Sequence, residues 1–162
     1  MNDTLSPLGA QLSMDLDIPT SRKLIPIEAA NVLLDRDEDQ VLALIESGKL
    51  VWAWDIRHPE AKQREIRIWR NSLLAHLSGD WDAHSQISEE AVLQHVLNHR
   101  RPEVRSTDLQ RCWSCSQTHV HALIVSGCLG PAKQREQIRG SNAVERIARE
   151  HLLTFLRQRR LH

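Results

Sequence analysis

Apolar positions fall into two matching series along this chain. Val41, Leu44 and Ile45 return as Val120, Leu123 and Ile124, and Ile68, Leu73, Leu74 and Leu77 return as Ile147, Leu152, Leu153 and Leu156. Every pair is 79 residues apart. Between Val41–Leu50 and Val120–Leu129, seven of ten residues are identical, including the Ser-Gly pair near each end. A fixed offset held over this length means one structural unit used twice.

Each copy reads as the same order of elements. In the second, Ser106 or Thr107 can cap a short helix to about Trp113, with Leu109 and Cys112 inward at i, i+3. Ser116 can cap a second helix lined by Val120, Leu123 and Ile124, and Gly127 supplies the left-handed residue that stops it. From Leu129 an extended segment leads into a polar hairpin containing Gly130, Pro131 and Gly140. A strand at Val144–Ala148 and a Leu-rich helix follow. In the first copy, Pro26 opens a helix carrying Ala29, Ala30, Leu33 and Leu34, Asp37 caps the next, and Gly48 ends it. Val51–Ile56 predicts a strand with Trp52, Trp54 and Ile56 on one face. His58-Pro59-Glu60 turns the chain, Glu65–Trp69 returns as a strand, and Asn71 can cap a closing helix through Leu77.

Two short helices, a hairpin and a closing helix define a winged helix-turn-helix. The run of a capping Ser, three residues, Val and a terminal Ser-Gly-x-Leu resembles the excisionase-like and MerR-like helix-turn-helix families. So does a wing followed by Ile68-Trp69-Arg70 or Ile147-Ala148-Arg149 and a Leu-rich helix. The resemblance covers about two-thirds of the chain, in two copies. It implies a mainly α (α+β) fold of two tandem winged helix-turn-helix units, each with a small β-hairpin wing. The expected organisation is a loose tail over residues 1–24, a first repeat at 25–77, a helical linker at 78–103 and a second repeat at 104–162. Within the linker, Ser88 caps a helix over Glu89–His99 with Ala91, Val92, His95 and Val96 on one side.

A net charge of zero conceals a division. Residues 1–99 hold 9 Lys/Arg against 16 Asp/Glu, and residues 100–162 hold 12 against 5. The basic half points to a polyanion partner. In the resembled families the second helix enters the major groove while the wing holds phosphates. Carried onto this chain, that assigns DNA contact in the second repeat to Ser116, Gln117, Thr118, His119 and His121 on the helix. Lys133, Arg135, Arg139 and Arg146 lie on the wing, and Arg149 opens the last helix. Arg157, Arg159 and Arg160 make a basic end suited to a backbone. Where those families carry Arg after the capping Ser and Tyr-Arg after the Val, this chain has Gln117, His121 and Ala122. The expected grip therefore moves toward the wing. Asp35, Asp37, Glu38 and Asp39 crowd the corresponding tip of the first repeat. They suit a helix N-terminus but repel phosphate, so Lys62, Arg64, Arg67 and Arg70 of the first wing are the cations left there. Ala61–Glu65 returns as Ala132–Glu136 at a different offset, suggesting similar cationic wing tips.

The implied function is DNA binding, as a transcription regulator or an excisionase-like recombination accessory factor. The alternative is a protein-interaction adaptor on the same scaffold, using the acidic first repeat and its tryptophans. That surface would also serve a homodimer. Nothing groups as a catalytic site: there is no P-loop, GxGxxG or Gly-x-Ser-x-Gly motif, so no enzyme and no cofactor is expected. Cys112-Trp113-Ser114-Cys115 is a CxxC, but the first copy has Leu33 in place of Cys112. A small core residue is therefore the simpler reading than zinc or a redox pair. Trp52, Trp54 and Trp69 are expected to pack on their own unit's helices. Three cysteines, no apolar run of membrane length and no basic-then-apolar leader lead to a cytoplasmic expectation.

Overall fold

The computed structural model describes residues 20–80, 87–97, 101–131, 133–134 and 145–161. Its elements are β1 (Leu24–Pro26), α1 (Ile27–Leu34), α2 (Glu38–Glu46), β2 (Ala53–Asp55), β3 (Ile66–Trp69) and α3 (Arg70–Ser78). Then come α4 (Glu89–Leu97), β4 (Glu103–Arg105), α5 (Ser106–Trp113), α6 (Gln117–Val125), β5 (Lys133–Gln134), β6 (Glu145–Ala148) and α7 (Arg149–Arg159). It is an α+β protein with two small antiparallel sheets, ordered β1-β3-β2 and β4-β6-β5. The 79-residue offset holds for the start of every helix and of the outer strand in the two units. It extends to backbone detail. Asp35 and Ser114 both end their first helices at left-handed φ, 52° and 51°, and Gly48 and Gly127 follow the second helices at 77° and 78°.

Local chemistry explains the shared frame. The Asp37 carboxylate accepts from Gln40 N at 2.8 Å while Gln40 Oε1 accepts from Asp37 N, a capping box that starts α2. Ser116 Oγ accepts from His119 N at 3.1 Å and starts α6. The first helices differ from expectation. Pro26 and Arg105 are the cap residues of α1 and α5, and neither gives a side-chain cap bond; nor does Trp69, which precedes α3 in place of Asn71. The chain enters each of these helices directly from a strand, so the extended backbone sets the cap geometry.

β1 and β4 were not expected. Leu24, assigned to the tail, pairs with Trp69 and is fully buried, and Glu103, assigned to the linker, pairs with Ala148. The linker helix is present as Glu89–Leu97, while the suggested contact at Leu12–Ile18 lies outside the described residues. Trp52 adopts φ 71°, which shortens the expected Val51–Ile56 strand to three residues.

The two units use their sheets differently. Alternation sends Ile25, Ala53, Ile66 and Ile68 into the first unit's own core with Val41, Ile45 and Leu73. Leu24, Trp52, Trp54 and Trp69 project from the opposite face into a second core. There they join Val92, Val96, Trp113, Val120, Phe155 and Leu156 of α4 and the second unit. The tryptophans therefore pack across the units, not on their own helices, because their own helices already cover the other face of the sheet. The second sheet is buried on one face only, through Val104 and Ile147. Its outward positions carry Glu103, Arg105, Arg146 and Ala148, all partly or fully exposed.

Polar groups close the joint. The last carbonyls of a helix lack intrahelical partners, and at the end of α5 those of Cys112, Trp113 and Ser114 meet the first unit. Lys23 N donates to Cys112 O at 2.9 Å, Arg67 Nε to Trp113 O at 3.0 Å and Arg67 Nη2 to Ser114 O at 3.1 Å. Ser114 Oγ donates to Leu24 O at 2.7 Å. The Trp69 indole donates to His95 Nδ1 on α4 at 2.9 Å. At the C-terminus, Leu161 N donates to Ala53 O at 2.7 Å, and the Arg160 guanidinium lies 3.8 Å from the Trp52 ring centroid.

Replacing Arg67 by Ala strands buried carbonyls, so stability should fall by about 2–3 kcal/mol. Arg67→Lys should recover only part, because an ammonium cannot fork between two carbonyls. Urea unfolding followed by tryptophan fluorescence should show one transition for both units. Two transitions, or an unchanged midpoint in Arg67→Ala, would dissociate the units energetically.

Candidate nucleic-acid interface

The first turn of α6 is the most exposed chemically versatile helix end in the second unit. Val120 and Leu123 are buried and set the helix rotation. That rotation leaves Gln117, Thr118 and His121 exposed. Gln117 offers both amide groups, a pattern that can pair with adenine, and Thr118 offers a hydroxyl. His121 Nδ1 lies 4.0 Å from Glu145 Oε1, on the strand behind it. Ser116 is exposed, and its hydroxyl oxygen holds the helix start.

His119 does not stand with them. Its Nε2 donates to the Ile56 carbonyl at 2.7 Å, and its ring lies 6.5 Å from that of His58. The expected outward position is wrong because the first unit's hairpin fills the space beside α6. The same contact brings two expected regions together: the loop from Arg57 to Arg64 leaves the first unit next to the first turn of α6. That loop is held by its own bonds. Asp55 Oδ1 accepts from Arg57 N at 3.2 Å and Glu65 N at 3.1 Å, and Ile56 N donates to Glu65 O at 2.9 Å. Lys62 and Arg64 are exposed on it, and Arg57 pairs with Asp55 at 3.3 Å.

Other expected contacts separate from this surface. Arg67 is buried at the α5 end, bonded to Trp113 and Ser114 and to Glu65 at 3.3 Å, so it is a joint residue and not a phosphate ligand. Arg70 is buried likewise. Arg146 pairs in register with Arg105 and Lys133, on the sheet face opposite the buried Ile147. It therefore points away from α6, with its Nε buried and without a partner. Arg149 lines a shallow cleft with Pro102, Glu103, Ala148, Glu150 and Leu153 on that outer side. Lys133 is placed only by its backbone pairing, and Arg135, Arg139 and most of the Ala132–Glu136 match lie outside the described residues. The basic end is engaged within the chain. Arg157 and Arg160 hold Glu89 at 3.0 and 2.9 Å, and Arg159 lies over Phe155.

Sequence reasoning missed Arg57 and His58 as neighbours of α6. No local signal could have shown them, because the Ile56–His119 contact spans 63 residues. Among the described residues no group of three or more His, Cys, Asp and Glu is placed to hold a metal ion, and no helix is long and apolar enough to cross a membrane. Searches of protein-family models, of curated proteins and of solved structures found no match to this chain.

Burial pushes the Cys115 thiol up to about 12, with Arg67 opposing the rise. Burial also raises Cys112. Nearly all of the Cys115 thiol is then protonated near neutrality, and the thiolate is the nucleophile. Cys115 should resist alkylation in the folded protein at neutral pH and react readily in denaturant. Mass-spectrometric mapping of the modified cysteine checks this. Fast native alkylation at Cys115 would restore the redox-pair reading of the CxxC.

Proposed function

We propose that the chain is a DNA-binding protein whose repeated unit is a winged helix-turn-helix, and that α6 is the helix that reads bases. The observation carrying this reading is the exposed first turn of α6, capped by Ser116 and presenting Gln117, Thr118 and His121. Its supports are the repeated order of strand, helix pair, hairpin and helix, and the excess of cations in the second half. In this reading the first repeat is a scaffold, not a second reader. Its α2 tip exposes Asp37, Glu38 and Asp39, which phosphate would repel. Transcription regulation and a recombination accessory role both fit such a protein, and the cytoplasm would be its place.

A protein-interaction adaptor is the second reading. It is favoured by Val32, 81% exposed on α1 near Asp35 and the acidic α2 tip. A partner with apolar and basic groups would fit there, and so would a second copy of the chain.

Fluorescence anisotropy against a panel of duplexes at low ionic strength separates the readings. Duplex binding that weakens steeply with salt is expected. Gln117→Ala should redistribute affinity among duplexes, lowering the preferred one by about 1–3 kcal/mol with little loss on the rest. Equal losses on every duplex would remove base reading by α6. Absence of binding at low salt would leave the adaptor.

A further inference from the structure

We infer that the wing serving α6 is supplied by the other repeat: the loop Arg57–Arg64 of the first unit grips DNA backbone beside the groove that α6 enters. This rests on the DNA-binding reading and changes its architecture. The resembled families pair each reading helix with its own hairpin. Here an arm of the first repeat also lies beside the reading helix. Ile56 and His58 sit at its base, and His119 on the first turn of α6 donates to the Ile56 carbonyl at 2.7 Å.

Three features suit the loop to the task. It is preorganised, since Asp55 ties Arg57 N and Glu65 N together and Ala61 N closes on His58 O at 3.0 Å. An ordered arm loses less conformational entropy on binding than a free one. Lys62 and Arg64 are exposed with no acidic partner among the described residues, whereas Arg67 of the same hairpin is buried and the exposed Arg157 and Arg160 of the C-terminus are paired with Glu89. Finally, the joint that places it is extensive. The doubly covered first sheet fixes the hairpin's direction relative to α6 through Trp52, Trp54 and Trp69. The two repeats therefore bind one site as one body, and the first unit, acidic at its own helix tip, adds phosphate contacts beside the second unit's helix.

The test uses the full chain and one duplex, with anisotropy across a salt series. Lys62→Ala/Arg64→Ala should weaken binding on the order of tenfold at moderate salt. It should also flatten the slope of log affinity against log salt by about 1.8, as expected for two lost phosphate contacts. Lys62→Arg/Arg64→Lys should retain the slope. Urea midpoints should not move in either variant, because both side chains are exposed. If Gln117→Ala redistributes sequence preference but Lys62→Ala/Arg64→Ala leaves affinity and slope unchanged, the shared wing is overturned and base reading by α6 stands. If the unaltered chain binds no duplex at low salt, both fall.

Discussion

Arg67 ends a helix that belongs to the other repeat. Its guanidinium meets the carbonyls of Trp113 and Ser114, while Lys23 N takes Cys112 O, so the first unit supplies the partners of three carbonyls at the end of α5. A helix end needs partners for its carbonyls, and a buried one cannot obtain them from water. Around this point Trp52, Trp54, Trp69 and Leu24 form one wall of the core whose other walls are α4, α5 and α7. The arrangement of α6, the cationic loop and the C-terminal residues all depends on that joint.

The joint also explains why units with the same order of elements have different surfaces. Each sheet has one face toward its own helices. In the first unit the other face is apolar and docks. In the second the positions of Leu24, Trp54 and Trp69 are held by Glu103, Lys133 and Ala148. That face of the second sheet therefore lacks the apolar surface through which the first docks. Arg146 illustrates the change. It occupies the position of Arg67, but no helix end meets it, and its Nε stays unpartnered.

Division of labour follows from the same asymmetry. Acidic residues at the α2 tip stabilise that helix through its dipole, and the tip faces no groove in the proposed function. The first unit's contribution passes through its hairpin, held against α6 by His119. In the proposed function the second unit contributes the first turn of α6. Engagement of Arg157 and Arg160 by Glu89 neutralises two cations of the basic end and uses them to hold the C-terminal helix on the linker helix α4.

Much of the local structure was legible in the chain. The 79-residue repeat, the Asp37 and Ser116 caps and the stops at Gly48 and Gly127 rest on short-range backbone chemistry, and short-range chemistry is written in neighbouring residues. One tertiary signal was present but read too narrowly. Both strands of the first hairpin carry apolar residues on both faces, through Trp52-Ala53-Trp54 and Ile66 to Trp69, which is the mark of a doubly buried sheet. The second hairpin, with Lys133-Gln134 and Glu145–Ala148, lacks it. What the residues alone determined is the unit, its caps and its use twice. The tertiary structure decided which faces meet, and hence which of many similar cations stay on the surface. Arg64 is exposed while Arg67 is buried three residues away, and His119 turns from solvent to the Ile56 carbonyl. Those outcomes depend on partners tens of residues distant, and charge and spacing carry no record of such partners.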